Sequence, residues 1–188
     1  MHVKVIIMGL AFCSTFMFLS GCINQHKPDI NENRKIVLSL GEMLLYPEHL
    51  RDTVFCPKFK YVVYVDSTEC SPCKIAHLGI WNYFKNELED NNAGLFIILF
   101  PSRDNVLDIQ EVHETYKHRI PIYIDTLGVF ERENPQIAKM TTEYHSFLLD
   151  KDNTIVAFGD ASTNLHVRDE IFRILSEDAD SIITESKP

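Results

Sequence analysis

The chain has 188 residues and a formal net charge of -9, with 27 acidic side chains against 18 basic ones. That surplus of acid argues against nucleic acid and against a polybasic membrane patch as partners. Only 7 glycines are spread through the sequence, so no Gly-rich phosphate loop and no Gly-x-Ser-x-Gly elbow appears, which sets aside nucleotide enzymes and Ser-His-Asp hydrolases.

Lys4 precedes an almost unbroken apolar run over residues 5–19, too short to span a membrane and flanked as an export signal is. The run ends in Leu19-Ser20-Gly21-Cys22, which resembles the bacterial lipoprotein signal. The resemblance implies cleavage after residue 21, lipidation of Cys22 and a domain anchored to a membrane of the cell envelope, facing the periplasm. Losing residues 1–21 removes one counted charge, Lys4, so the remainder stays acidic. About 165 residues are left, the size of a single domain. Residues 22–35 are polar and predict a flexible tether, residues 36–178 the domain, and residues 179–188 a polar tail.

Within the domain, Ile36-Val37-Leu38-Ser39-Leu40 predicts a strand, Gly41 a break, and residues 42–50 a turn-rich stretch containing Pro47. Residues 58–66 are β-branched and aromatic and predict a buried strand, with Ser67 or Thr68 as the cap of a following helix. Ile75, Ala76, Ile80, Tyr83, Phe84 and Leu88 recur at three- and four-residue steps, a core stripe for one helix over residues 74–88. Leu95-Phe96-Ile97-Ile98-Leu99-Phe100 predicts a second buried strand, parallel to the first because a crossover-length helix separates them. A loop with Asp104 as candidate cap leads to a helix over 106–117, then a short strand over 120–124 and a turn with a short helix over 125–139. His113, His118 and His166 all read as surface residues of polar helices. Strands over 146–149 and 154–158 around Lys151-Asp152-Asn153 predict a β-hairpin, and 165–175 a closing helix. The order predicts an α/β fold, a central mixed sheet with helices on both faces.

Cys70-Ser71-Pro72-Cys73 falls where the first buried strand gives way to a helix. Unpaired N–H groups at a helix start favour a thiolate, the species that attacks disulfides, and Cys73 one turn on is placed to resolve the mixed disulfide. A structural zinc site would need a second Cys or His pair at finger spacing, and there is none; Cys56 stands alone beside Pro57. An exported chain lives where disulfides persist.

The segments "YVVYVDSTECSPCK", "LFIILF", "IPIYIDTLGVF" and "SFLLDKDNTIVAFG", in that order over residues 36–178, resemble the thioredoxin superfamily. More narrowly they resemble its exported TlpA-like and ResA-like branch and the thioredoxin-like lipoproteins of the Bacteroidetes type. The resemblance implies a thiol–disulfide oxidoreductase with a redox-active Cys70–Cys73 disulfide, Cys70 the nucleophile and Cys73 the resolving thiol. It implies no cofactor, and as partners client protein disulfides or dithiols and an envelope redox partner that recharges the pair. The family's buried acid maps onto Tyr64, leaving Glu69 and Asp66 as acid/base candidates. Its cis-proline slot falls at Tyr144 or His145, so Tyr144, His145 and Ser146 are the substrate-loop candidates and their backbone is expected trans. A competing reading takes Cys70, Cys73 and His145, with His77 on the same helix face, as a copper or zinc site loosely resembling Sco-type copper chaperones.

Overall fold

A computed structural model describes residues 34–48, 57–102, 106–116 and 120–185. The expected signal peptide, the lipidated Cys22, most of the tether, Cys56, the Asp104 cap and His118 lie outside the described residues. No helix among the described residues is long and apolar enough to cross a membrane.

Six strands, β1 (Leu44–Tyr46), β2 (Phe59–Val65), β3 (Ala93–Leu99), β4 (Ile122–Ile124), β5 (Ser146–Leu149) and β6 (Ile155–Phe158), form one mixed sheet ordered β1-β4-β3-β2-β5-β6. β2 and β3 pair in parallel, with Tyr61 opposite Leu95 and Val65 opposite Leu99. β5 and β6 form the antiparallel hairpin on one side, and Asn153 at its turn takes the left-handed φ of 60° that Asn tolerates.

The alternation of side chains along the central strands divides the core into two layers. Tyr61, Val63 and Val65 of β2 and Leu95, Ile97 and Leu99 of β3 face one layer, closed by Ile75 of α1 (Ser71–Ala76), Trp81, Phe84 and Leu88 of α2 (Gly79–Asp90), Ile109 of α3 (Val106–Tyr116) and Ile171 and Leu175 of α6 (Leu165–Glu185). Val62, Tyr64, Phe96 and Ile98 face the other, closed by Phe130 of α4 (Val129–Glu133) and Ile137 of α5 (Pro135–Ala138). Helices on both faces of a mixed sheet are the architecture expected.

Five local expectations are corrected. Residues 36–40 are not a strand: the Val37 N–H donates to Asn134 Oδ1 at 2.8 Å, and Asn134 Nδ2 donates to the Val37 carbonyl at 3.0 Å. A buried amide side chain thus satisfies backbone that a neighbouring strand would otherwise pair, and the strand forms later, at Leu44–Tyr46, antiparallel to β4. Ordered contacts also begin before residue 36, since the Ile155 N–H donates to the Arg34 carbonyl and Lys35 bridges Thr154.

The helix expected over residues 74–88 is two. Three-residue backbone bonds from His77 N to Lys74 O, Leu78 N to Ile75 O and Trp81 N to Leu78 O tighten the chain around Gly79, which has open space where a side chain would stand. The rotation turns Leu78 and Trp81 into the core and leaves Ile80 and Tyr83, expected there, 58% and 66% exposed. The closing helix runs past Leu175 to Glu185, so the expected polar tail is helical over most of its length. His113 is buried, not on the surface: its Nε2 lies 3.2 Å from the Ile120 carbonyl and the Tyr46 ring meets it edge-on at 5.0 Å.

Candidate functional site

β2 delivers the chain to the C-terminal edge of the parallel strands, and the next five residues build the site. Asp66 folds the loop into a turn by accepting from the Thr68 N–H at 2.7 Å and the Thr68 hydroxyl at 2.6 Å. Thr68 is thereby committed to Asp66, and neither it nor Ser67 caps the helix as expected. The cap is Cys70 itself, whose Sγ accepts from the Cys73 N–H at 3.3 Å. Pro72 sits in the first turn of α1, where a missing N–H leaves nothing unpaired.

Cys70 and Cys73 are joined in a disulfide with their Cα atoms 5.2 Å apart, and both residues are exposed. They open onto a groove of about 900 Å³ whose walls include Trp81, Tyr144, Ser146 and Phe158. Two of the three substrate-loop candidates, Tyr144 and Ser146, therefore share a surface with the dithiol. Tyr144 closes a short 3₁₀ turn (Thr142–Tyr144), and Ser146 begins β5 opposite Val63. The peptide bonds here are trans; among the described residues the cis bond is Tyr46-Pro47.

His145, the third candidate, turns the other way. Its carbonyl accepts from the Tyr64 N–H at 2.9 Å, its ring lies 5.3 Å from the Tyr64 ring, and its side chain is 3% exposed. Nδ1 faces Asp66 Oδ2 at 3.7 Å and Glu69 Oε1 at 3.9 Å, and neither ring nitrogen has a hydrogen-bond partner. Both acid/base candidates thus meet His145 in one cluster, with all three donor atoms within 4.8 Å of one another. The sulfurs, bonded to each other, are not in that cluster, and His77 is exposed on α1's C-terminal cap.

Burial pushes the Asp66 carboxyl up, but the two Thr68 donors and His145 outweigh it and leave the group below its usual 3.8. Glu69 Oε2 is met by Lys74 Nζ at 3.2 Å, which tempers the negative charge next to Cys70. Tyr64 has its phenol raised by burial and by the 2.7 Å bond it donates to Glu131. Sequence reasoning missed Trp81 and Phe158 as groove residues: Trp81 fell outside the expected helix stripe and Phe158 read only as the end of a hairpin strand, so the shift of helical phase after Gly79 and the hairpin's place beside the dithiol are what mark them.

No protein-family model and no curated protein sequence matches the chain. Solved structures do. A putative thiol:disulfide interchange protein DsbE from Chlorobium tepidum superposes with a TM-score of 0.51 at 14% identity, over 77% of this chain and 98% of that one. PrxQ from Xylella fastidiosa, in a mutant form, superposes with a TM-score of 0.51 at 14% identity, over 78% and 97%. At such identities the likeness is one of fold, and the fold is thioredoxin-like. Fold and site together define a thioredoxin-like domain that carries a C-x-x-C disulfide at the head of the helix after its first core strand.

Proposed function

We propose that the protein is a lipid-anchored thiol–disulfide oxidoreductase of the cell envelope, its domain facing the periplasm. The observation that carries this reading is an exposed Cys70–Cys73 disulfide opening onto a groove of about 900 Å³. In the reduced form the Cys70 thiolate attacks a client disulfide, forming a Cys70–client disulfide and expelling one client thiolate. The Cys73 thiolate then attacks Cys70 Sγ, releases the second client thiolate and closes the Cys70–Cys73 bond, so two electrons pass to the client. Run backwards, the oxidised form takes two electrons from a client dithiol. The lipoprotein-like Leu19-Ser20-Gly21-Cys22 segment supports the anchor, and an envelope redox partner recharges the pair.

The test is trapping. Cys73→Ser should accumulate mixed disulfides with envelope proteins that reductant releases, and Cys70→Ser should accumulate none. Equal trapping by both variants, or a Cys70–Cys73 pair that does not cycle with a defined potential in glutathione buffers, would refute the assignment.

A further inference from the structure

Asp66, Glu69 and His145 have the chemistry and the spacing of a metal site. Asp66 Oδ1 is committed to Thr68, while Oδ2 faces His145; Glu69 Oε2 is committed to Lys74, while Oε1 faces His145. Each carboxylate therefore turns one oxygen to the turn or the helix and the other toward the same imidazole nitrogen. The 3.7 and 3.9 Å separations are too long for hydrogen bonds. A tetrahedral ion with ligand bonds of about 2.1 Å holds its donors ~3.4 Å apart, so closing the two Nδ1–oxygen gaps requires shifts of a few tenths of an ångström.

The second observation is His145 itself. Its side chain is 3% exposed, yet neither ring nitrogen is hydrogen-bonded, a costly arrangement for a buried imidazole. An ion on Nδ1 would satisfy one of them. Two carboxylates converge on this nitrogen, and among the described residues the lysine paired with them, Lys74, meets only Glu69 Oε2 and has a side chain 54% exposed.

We infer that Asp66, Glu69 and His145 form a binding site for a first-row divalent cation, held by two carboxylate oxygens and imidazole Nδ1. The mixed oxygen and nitrogen donors select Zn²⁺, Mn²⁺ or Fe²⁺ over Cu⁺, which prefers sulfur, and over Ca²⁺, which needs six or more oxygens. The site differs from a Cys70, Cys73 and His145 site in requiring no thiolate, so it persists when the disulfide is closed. It goes beyond the redox assignment and does not depend on it.

The test uses the full chain in its oxidised form, with every free thiol alkylated by N-ethylmaleimide so that no cysteine can bind metal. Zn²⁺ is titrated in competition with a chromophoric chelator. One equivalent should bind, and His145→Ala, Asp66→Asn and Glu69→Gln should each weaken that equivalent about tenfold or more. Absence of a stoichiometric equivalent overturns the site. Full affinity retained in both carboxamide variants also overturns it, whatever His145→Ala does to the fold. Mixed-disulfide trapping is read separately, so a failure here leaves the redox assignment standing, and the reverse holds.

Discussion

Asp125→Ala should be among the most damaging single changes outside the dithiol. Asp125 is 1% exposed and lies just after β4. Its Oδ1 accepts from the Val129 N–H at 2.9 Å and the Leu127 N–H at 3.3 Å, and its Oδ2 from the Phe130 N–H at 2.8 Å. The first N–H groups of α4 have no intrahelical acceptor, so this carboxylate stands in for the cap that Gly128 cannot provide. Alanine leaves the Val129 and Phe130 N–H groups buried and unpaired at about 1–3 kcal/mol each, a loss of about 2–6 kcal/mol in all. A domain typically has ~5–15 kcal/mol of stability, so much of it would go. Urea unfolding of the oxidised protein measures this, with a lower midpoint and an unchanged m-value expected. Asp125→Asn, keeping one acceptor oxygen, should fall between. A loss below about 1 kcal/mol for the alanine variant would mean that water reaches those N–H groups and that the capping argument is wrong.

Two further outcomes are expected. Burial is the largest influence on His113 and holds its pKa below the usual 6.5, the Ile120 carbonyl and Glu114 opposing it only in part. The unfolded chain then binds the proton more readily, so stability is intact above about pH 6.5 and declines as pH falls through and below that value. Urea unfolding between pH 8 and 5 should show a steeper decline for the native protein than for His113→Gln; equal slopes would remove His113 as the cause. Gly159→Ala should cost about 1–3 kcal/mol, because φ is 120° and an added Cβ would stand 2.7 Å from Val167 Cγ2. Adding Val167→Ala should restore the steric share but not the backbone share, and a single variant as stable as the native protein would show that the loop simply moves.

Much of the sheet was legible in the sequence because its central strands are buried on both faces. Tyr61 to Val65 and Leu95 to Leu99 need unbroken apolar content, and no helix-like period survives there. The hairpin was legible for a local reason, the Asp152-Asn153 turn. β1 was not: Leu44, Leu45 and Tyr46 become a strand only by pairing with Ile124, Tyr123 and Ile122, far off in sequence. Ile36 to Leu40 carries the stronger strand pattern but meets Asn134, whose amide no period along the chain could announce. The broken helix failed on phase: a three-residue turn around Gly79 shifts the stripe, so Ile80 and Tyr83 leave the core while Phe84 and Leu88 stay in it. In the site, the cysteines were legible as a motif of fixed spacing. His145, Asp66 and Glu69 each stood out alone, but their meeting depends on the β2–β5 pairing that sets one loop over the other.

The bond from the Cys73 N–H to Cys70 Sγ gives one atom two jobs, since the sulfur that exchanges electrons also anchors the opening turn of its own helix. Swapping in alanine erases a reactive centre and a structural peg together, and any lost phenotype would be uninterpretable. Serine preserves an acceptor at that spot, being among the favoured residues for it. Genetic work on this locus therefore has a built-in preference for the hydroxyl replacement over the methyl one.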